Sequence, residues 1–142
     1  MANKEVPPAL RKWFLIHFMV DILFAIPLII IPDYFLRTLG WQVVDPVSAR
    51  LVAAALFAIG IESLISYKSS IDNYIGMLNL KILWSLGAVL GLIISIIHMD
   101  HGRPIAMWLL LLVFLAFNAL WVYWRVKLFR LKEPVNRSNR FG

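Results

Sequence analysis

Cysteine is absent from this 142-residue chain, and charged residues make up only 15% of it. The absence of cysteine excludes disulfides, catalytic thiolates and cysteine-ligated metals. A soluble domain ordinarily contains about 25% charged and about 45–50% apolar residues. Here 61% of the residues are apolar, and the mean hydropathy is +0.80. The composition therefore predicts an integral membrane protein with little chain left for a soluble module.

Four long apolar stretches occupy most of the sequence. They run over Trp13–Ile31, Ser48–Tyr67, Tyr74–Ile97 and Pro104–Trp124. About 20 apolar residues in a helix cross a hydrocarbon layer of about 30 Å, so each stretch is long enough to span a bilayer. We predict an all-α fold, in which residues 1–130 form a four-transmembrane-helix bundle and residues 131–142 form a basic cytoplasmic tail.

The connection between the first two spans carries apolar residues at helical spacing, namely Phe35, Leu36, Leu39 and Val43. This pattern predicts a short helix lying at the membrane interface, with Gly40 as its stop. Asp45 lies where it could cap the start of the second span. Asp72 and Asn73 could do the same at the start of the third span.

Basic residues are distributed unequally between the two sides of the predicted spans. Ten flank the side of the termini: Lys4, Arg11, Lys12, Lys68, Arg125, Lys127, Arg130, Lys132, Arg137 and Arg140. Only Arg37, Arg50 and Arg103 flank the other side. The positive-inside rule then predicts a multi-pass protein of the cell (inner) membrane with both termini cytoplasmic. Basic flanks also meet anionic headgroups, so the net charge of +6 indicates membrane lipids as partners and no nucleic acid.

Small residues recur in the second and third spans. The second is rich in alanine, and the third contains Gly87 and Gly91 four residues apart, followed by Ser95. Such stripes let helix backbones approach closely. We predict that these two spans pack together, and a homodimer seam through Gly87, Gly91 and Ser95 is the alternative.

Five polar residues interrupt the apolar stretches at similar depth: His17, Asp21, Glu62, Lys81 and Asn118. At about 1.5 Å per residue, Asp21 lies about 13 Å from Lys12, and the others lie within about one turn of that level. Ionisable groups in a membrane are costly and tend to face a protein interior or a water-filled cavity. We therefore predict that these five residues line a polar ligand-binding pocket in the cytoplasmic half of the bundle.

Each of these residues also has a purely structural interpretation. Lys81 could extend its stem to the cytoplasmic headgroups, or form an ion pair with Glu62. A protonated Asp21 could join two helices by a hydrogen bond, and Asn118 could do the same. His17 could simply be hydrated near the interface, although His17 and Asp21, four residues apart, also make an oriented pair that could handle a proton.

The leading functional hypothesis is a non-enzymatic membrane protein that binds a small lipophilic or amphiphilic ligand, or assists a membrane complex. The alternatives are an enzyme that transfers a proton on a lipid-like substrate and a dimeric proton-coupled transporter. No catalytic residue is assigned and no cofactor is predicted. His98 and His101 lack an obvious third ligand, so we predict no metal site.

Two segments resemble the small four-helix membrane proteins grouped as DoxX-like, many of which have no known function. These segments are the loop Pro32-Asp-Tyr-Phe-Leu-Arg-Thr-Leu-Gly40 and, in the second span, Arg50-Leu-Val-Ala-Ala-Ala-Leu-Phe-Ala-Ile-Gly60. The resemblance covers roughly the first half of the chain and implies a four-helix membrane fold. It implies no catalytic residue.

Overall fold

The computed structural model describes residues 5–99 and 102–138, with side chains up to Lys132. The described chain is all-α, as predicted. Its helices are α1 (Pro8–Ile30), α2 (Pro32–Thr38), α3 (Pro46–Ile65), α4 (Ile71–His98) and α5 (Ile105–Ser138). A 3-10 turn at Ser66–Lys68 follows α3. The four long helices are each long and apolar enough to cross a membrane, which indicates a multi-pass membrane protein.

Helix starts in this chain follow ordinary capping chemistry. Asp45 caps α3, because its side chain accepts hydrogen bonds from the backbone of Val47 and Ser48. At the start of α4, Asp72 is the acidic residue of the first turn, as predicted, but the cap itself is Ser70, whose side chain accepts a hydrogen bond from the backbone of Asn73. A serine hydroxyl oxygen satisfies a free backbone N–H there as well as a carboxylate does.

The helix α2 confirms the predicted short helix between the first two spans. It ends at Thr38, and Gly40 follows with a φ of +99°, a backbone conformation that glycine adopts readily. Phe35 and Leu36 pack against the core. Val43 lies beyond the helix and is exposed, so the apolar periodicity extends further than the helix does.

The long helices pack as two antiparallel pairs, α1 with α3 and α4 with α5. We call the end of the bundle that holds the start of α1 and the end of α5 the terminal end. A core cluster at this end joins α1, α4 and α5 through Leu10, Phe14, Tyr74, Leu78, Trp121 and Leu128. A second cluster, toward the opposite end, joins α1 and α3 through Ala25, Leu28, Ala49, Ala53 and Leu56.

The predicted close packing of the second and third spans is wrong. The buried alanines and the buried glycine of α3, Ala49, Ala53 and Gly60, belong to the contact with α1. Apart from the adjoining residues and backbone of α4 itself, no heavy atom of the described chain lies within 4 Å of a Cβ built on Gly87 or Gly91. These two glycines therefore face outward, and Ser95 of the same stripe is exposed as well.

Helix α5 continues past residue 130, where the sequence predicts the basic tail to begin. Leu131 packs partly against the core cluster at the terminal end, and Lys132 Nζ lies 2.5 Å from Asp72 Oδ1 at the start of α4. These contacts extend the α4–α5 pairing by a further turn. The backbone is helical to Ser138, and residues 139–142 lie outside the described residues.

Candidate functional site

Two of the five predicted site residues lie side by side on α1. His17 and Asp21 are one helical turn apart, and His17 Nδ1 lies 2.7 Å from Asp21 Oδ2. Both residues are buried. Residues four apart share a helix face, so this contact follows directly from their spacing.

Lys81 of α4 joins the same cluster. Its Nζ lies 3.0 Å from His17 Nδ1 and donates a hydrogen bond of 2.8 Å to Ser63 Oγ of α3. Lys81 is only 1% exposed, so the alternative in which it reaches the headgroups is wrong. The bundle thus gathers three titratable groups from two helices, which we call the Asp21–His17–Lys81 cluster.

A single nitrogen atom is shared within this cluster. The ring nitrogen Nδ1 of His17 can donate one hydrogen bond or accept one, but it cannot do both at once. When the Lys81 ammonium donates to Nδ1, Asp21 Oδ2 keeps its close contact with that nitrogen but receives no hydrogen from it. Among the described residues, no donor satisfies Asp21 Oδ2 in this arrangement.

Aromatic rings surround the two basic members of the cluster. Lys81 Nζ lies 5.0 Å from the ring centroid of Phe14 and 5.2 Å from that of Trp121. The His17 ring makes edge contacts with Phe117 at 4.8 Å and with Trp121 at 5.1 Å, measured between centroids. A cation over aromatic faces is stabilised by the ring quadrupoles, so the ammonium has partners beyond its hydrogen bonds.

Asn118 of α5 belongs to a neighbouring network and does not touch the titratable atoms. Its amide donates to Ser85 Oγ at 2.9 Å and to the carbonyl of Ile82 at 3.1 Å. Ser85 Oγ in turn donates to the carbonyl of Lys81 at 2.7 Å. Asn118 therefore ties α5 to α4 beside the cluster, which is the interhelical role that its structural interpretation predicted.

Glu62 is separated from the cluster. Its carboxylate accepts a hydrogen bond of 2.6 Å from Ser66 Oγ, which also accepts one of 3.0 Å from Asn73. The alternative in which Glu62 pairs with Lys81 is wrong, because Lys81 bonds Ser63 instead. Successive helical residues point about 100° apart, so Glu62 and its neighbour Ser63 serve different contacts.

Sequence reasoning missed three residues that complete the cluster: Gly60, Ser63 and Trp121. A Cβ on Gly60 would lie 2.9 Å from the Cβ of Asp21, so glycine allows α3 to approach α1 at this level. Ser63 receives the Lys81 hydrogen bond and donates its own to the carbonyl of Ile59 at 2.6 Å. The signal for both was their position on the face of α3 that also carries Ala53 and Leu56.

The five predicted residues do not form one connected set of contacts, because Glu62 lies in a separate network from the Asp21–His17–Lys81 cluster. Two open surface grooves are lined by other residues, one of about 520 Å³ between α1 and α2 and one of about 460 Å³ at the terminal end. The first has apolar walls that include Phe24, Pro27 and Phe35.

Metal-ligating side chains are not gathered anywhere in the described ranges, where no group of three or more could hold an ion. His98 Nδ1 instead lies 2.9 Å from the carbonyl of Ile94. His101 lies outside the described residues.

Comparison with known proteins adds no relative: no family model matches the chain, and neither curated proteins nor solved structures are significantly similar to it. The resemblance to DoxX-like proteins stays a prediction.

Proposed function

We propose that this multi-pass membrane protein binds and releases a proton at the Asp21–His17–Lys81 cluster. The observation that carries the proposal is the sharing of His17 Nδ1 between a carboxylate oxygen at 2.7 Å and an amine nitrogen at 3.0 Å. Three groups that can each hold a proton lie in a row at hydrogen-bond distances, so one proton can move between them.

A simple structural ion pair would be built differently. An ammonium and a carboxylate that serve only to neutralise each other make direct contact, commonly with a short N–O distance. Here the imidazole of His17 lies between Lys81 and Asp21 and contacts both. Lys81 also donates a second hydrogen bond to Ser63. An imidazole in this position adds a third group that can hold the proton.

The proton count of the cluster defines its states. With the proton on Lys81, the ammonium donates to Nδ1 and the Asp21 carboxylate balances its charge. With the proton moved to Nδ1, neutral Lys81 faces an imidazolium that donates to Asp21. Both states are neutral overall, whereas gain or loss of one proton leaves a net charge in an apolar interior, which is costly. Net exchange would therefore accompany access of water or of a charged partner.

The side of access follows from the distribution of basic residues. We propose that the protein resides in the cell (inner) membrane with both termini cytoplasmic, because ten of the thirteen flanking basic residues belong, in the sequence, to the segments on the side of the termini. The cluster then exchanges protons with the cytoplasm. A transporter would also need access from the other side, which is why we place proton exchange before proton-coupled transport.

Ligand binding is the second candidate, and the aromatic surroundings of Lys81 favour it. Phe14 and Trp121 flank the ammonium as the rings of a cation-binding cage would. A lipophilic amine could occupy the position of the ammonium if Lys81 were deprotonated and its side chain moved away. The carboxylate of Asp21 would then neutralise the ligand. The proposed role in a membrane complex has no comparable observation in its favour.

The test is nitrogen NMR of histidine-labelled protein in detergent or lipid. The wild-type arrangement predicts that His17 carries its proton on Nε2 while Nδ1 accepts from Lys81. In Lys81→Met the donor is gone, so Nδ1 should become protonated and donate to Asp21. Glu62→Gln is the matched control, because Glu62 lies in a separate network, and it should leave the His17 signals unchanged.

A titration then separates proton exchange from a fixed contact. The His17 signals of the wild type should respond to pH, and the response should change in Asp21→Asn, since coupled groups titrate as a unit. A His17 ring whose signals stay constant with pH, and whose tautomer is the same in Lys81→Met, would overturn the proposal.

A further inference from the structure

The second groove lies between α1 and the end of α3 at the terminal end of the bundle. It measures about 460 Å³ and is lined by Leu15, Leu64, Ile65, Tyr67 and Lys68. Its walls are aliphatic, and Tyr67 and Lys68 stand at its polar end. Sites for small molecules commonly enclose about 300–1,000 Å³, so the groove has the size of a single acyl chain or a similar slender group.

A second cation is held beside the polar end of the groove. Arg11 Nη1 donates a hydrogen bond of 2.7 Å to the carbonyl of Tyr67, and the guanidinium lies 6.0 Å from the Tyr67 ring centroid. A guanidinium has five N–H donors, so this bond leaves others available. Within the described ranges, neither Arg11 nor Lys68 forms a salt bridge with an acidic side chain.

We infer that this groove binds an anionic phospholipid. One acyl chain would lie along Leu15, Leu64 and Ile65, and the phosphate would meet Lys68 and Arg11. Leu64 and Ile65 are exposed on a membrane-spanning helix, so the groove opens toward lipid and can be filled from the bilayer. Basic pockets beside transmembrane helices bind anionic headgroups by this combination of charge and apolar wall.

The groove between α1 and α2 lacks the charge that an anionic headgroup would need. It has no charged residue in its lining, so it offers nothing to a headgroup phosphate. The inference is independent of the proposed proton site, because none of the groove residues belongs to the Asp21–His17–Lys81 cluster.

The experiment is native mass spectrometry of the full chain in detergent, titrated with phosphatidylglycerol or with phosphatidylcholine. Lys68→Gln should weaken retention of phosphatidylglycerol about fivefold, the loss expected for one basic residue near an anionic headgroup. Retention of phosphatidylcholine should not change. Lys68 makes no side-chain hydrogen bond within the described chain, so this variant should fold normally.

The matched control is Lys127→Gln, which removes the same charge from an exposed residue of α5 outside the groove. It should leave phosphatidylglycerol retention nearly unchanged. A second variant, Leu64→Trp, fills the groove without changing charge and should also lower retention. If Lys68→Gln and Lys127→Gln lost phosphatidylglycerol retention equally, or if Leu64→Trp retained it normally, the lipid would be held by unspecific charge attraction and not by the groove. Either result would overturn the inference.

Discussion

Gly60 of α3 and Asp21 of α1 approach so closely that a Cβ on the glycine would lie 2.9 Å from the Cβ of the aspartate. Real Cβ atoms essentially never come so near another carbon, so the absence of a side chain sets the spacing of the two helices here. The carboxyl group of Asp21 is buried at this crossing beside His17. The position of the acid therefore depends on a glycine in a different helix.

Gly60→Ala should separate α1 from α3 and destabilise the protein by about 1–3 kcal/mol, the range for overpacking in a core. Reversible unfolding in mixed detergent–SDS micelles measures this loss. Gly76→Ala is the control, because Gly76 lies outside the small-residue stripe of α4, and a Cβ built there would meet no heavy atom within 4 Å beyond its own helix. This substitution should cost nothing. Equal stability of the two variants would show that the helices are not in close contact at Gly60.

Lys81→Met should be strongly destabilising at neutral pH, by about 3–5 kcal/mol, because it leaves the Asp21 carboxylate buried without its counter-charge. Asp21→Asn should restore part of that loss when added to Lys81→Met. A double-mutant cycle on these two residues measures their coupling, for which we expect more than about 0.5 kcal/mol. Simple additivity of the two substitutions would mean that the groups do not interact through His17.

Asp45 makes the start of α3 sensitive to acid. The hydroxyl of Ser48 and the backbone N–H of Val47 donate to its carboxylate and lower the pKa of Asp45 below its ordinary value. A group with a lowered pKa in the folded state contributes stability above its unfolded pKa, and the contribution disappears as pH falls through the folded pKa.

We therefore expect wild-type stability to decline below about pH 4, near the ordinary pKa of aspartate. Asp45→Asn retains a capping oxygen but cannot titrate, so its stability curve should be flatter over that interval. Thermal unfolding followed by circular dichroism between pH 6 and pH 2 measures both. Parallel curves for the two proteins would mean that the Asp45 cap does not contribute to the acid response.

A homodimer through α4 stays a proposal, and the outward orientation of Gly87 and Gly91 supports it. Close approach of two such helices depends on the absence of side chains at these positions. Gly91→Leu should weaken self-association at least several-fold without loss of helix content, as measured by analytical ultracentrifugation in detergent. Gly76→Leu is the control, because Gly76 is equally open but lies outside the stripe. The same monomer content in both variants would exclude this seam.

Different parts of this structure were predictable from sequence to different degrees. The span positions and α2 depend on local runs of apolar residues, which the chain displays directly. The contact between His17 and Asp21 follows from four-residue spacing in one helix. The burial of Lys81 did not follow, because a lysine at that depth can turn outward or inward with the same local sequence.

The errors concern contacts between helices. The sequence predicted that Glu62 would share the cluster, but the neighbouring Ser63 faces Lys81 instead. It also predicted that the alanines of α3 would face the glycines of α4, whereas they face α1. In both cases the residues were of a type that could make the predicted contact. The prediction failed because the sequence does not show how each helix is rotated about its own axis.

The sequence by itself determined that this chain is a helical membrane protein with four spans, because the hydropathy and the length of a span depend only on residues that are neighbours in the sequence. It also determined that polar groups interrupt every one of the four spans. Only the tertiary structure decided which of those groups meet. Successive residues of a helix point about 100° apart, so the rotation of each helix about its axis decides which side chains face inward. The packing of Gly60, Phe14 and Trp121 selects the rotation that brings Asp21, His17 and Lys81 together.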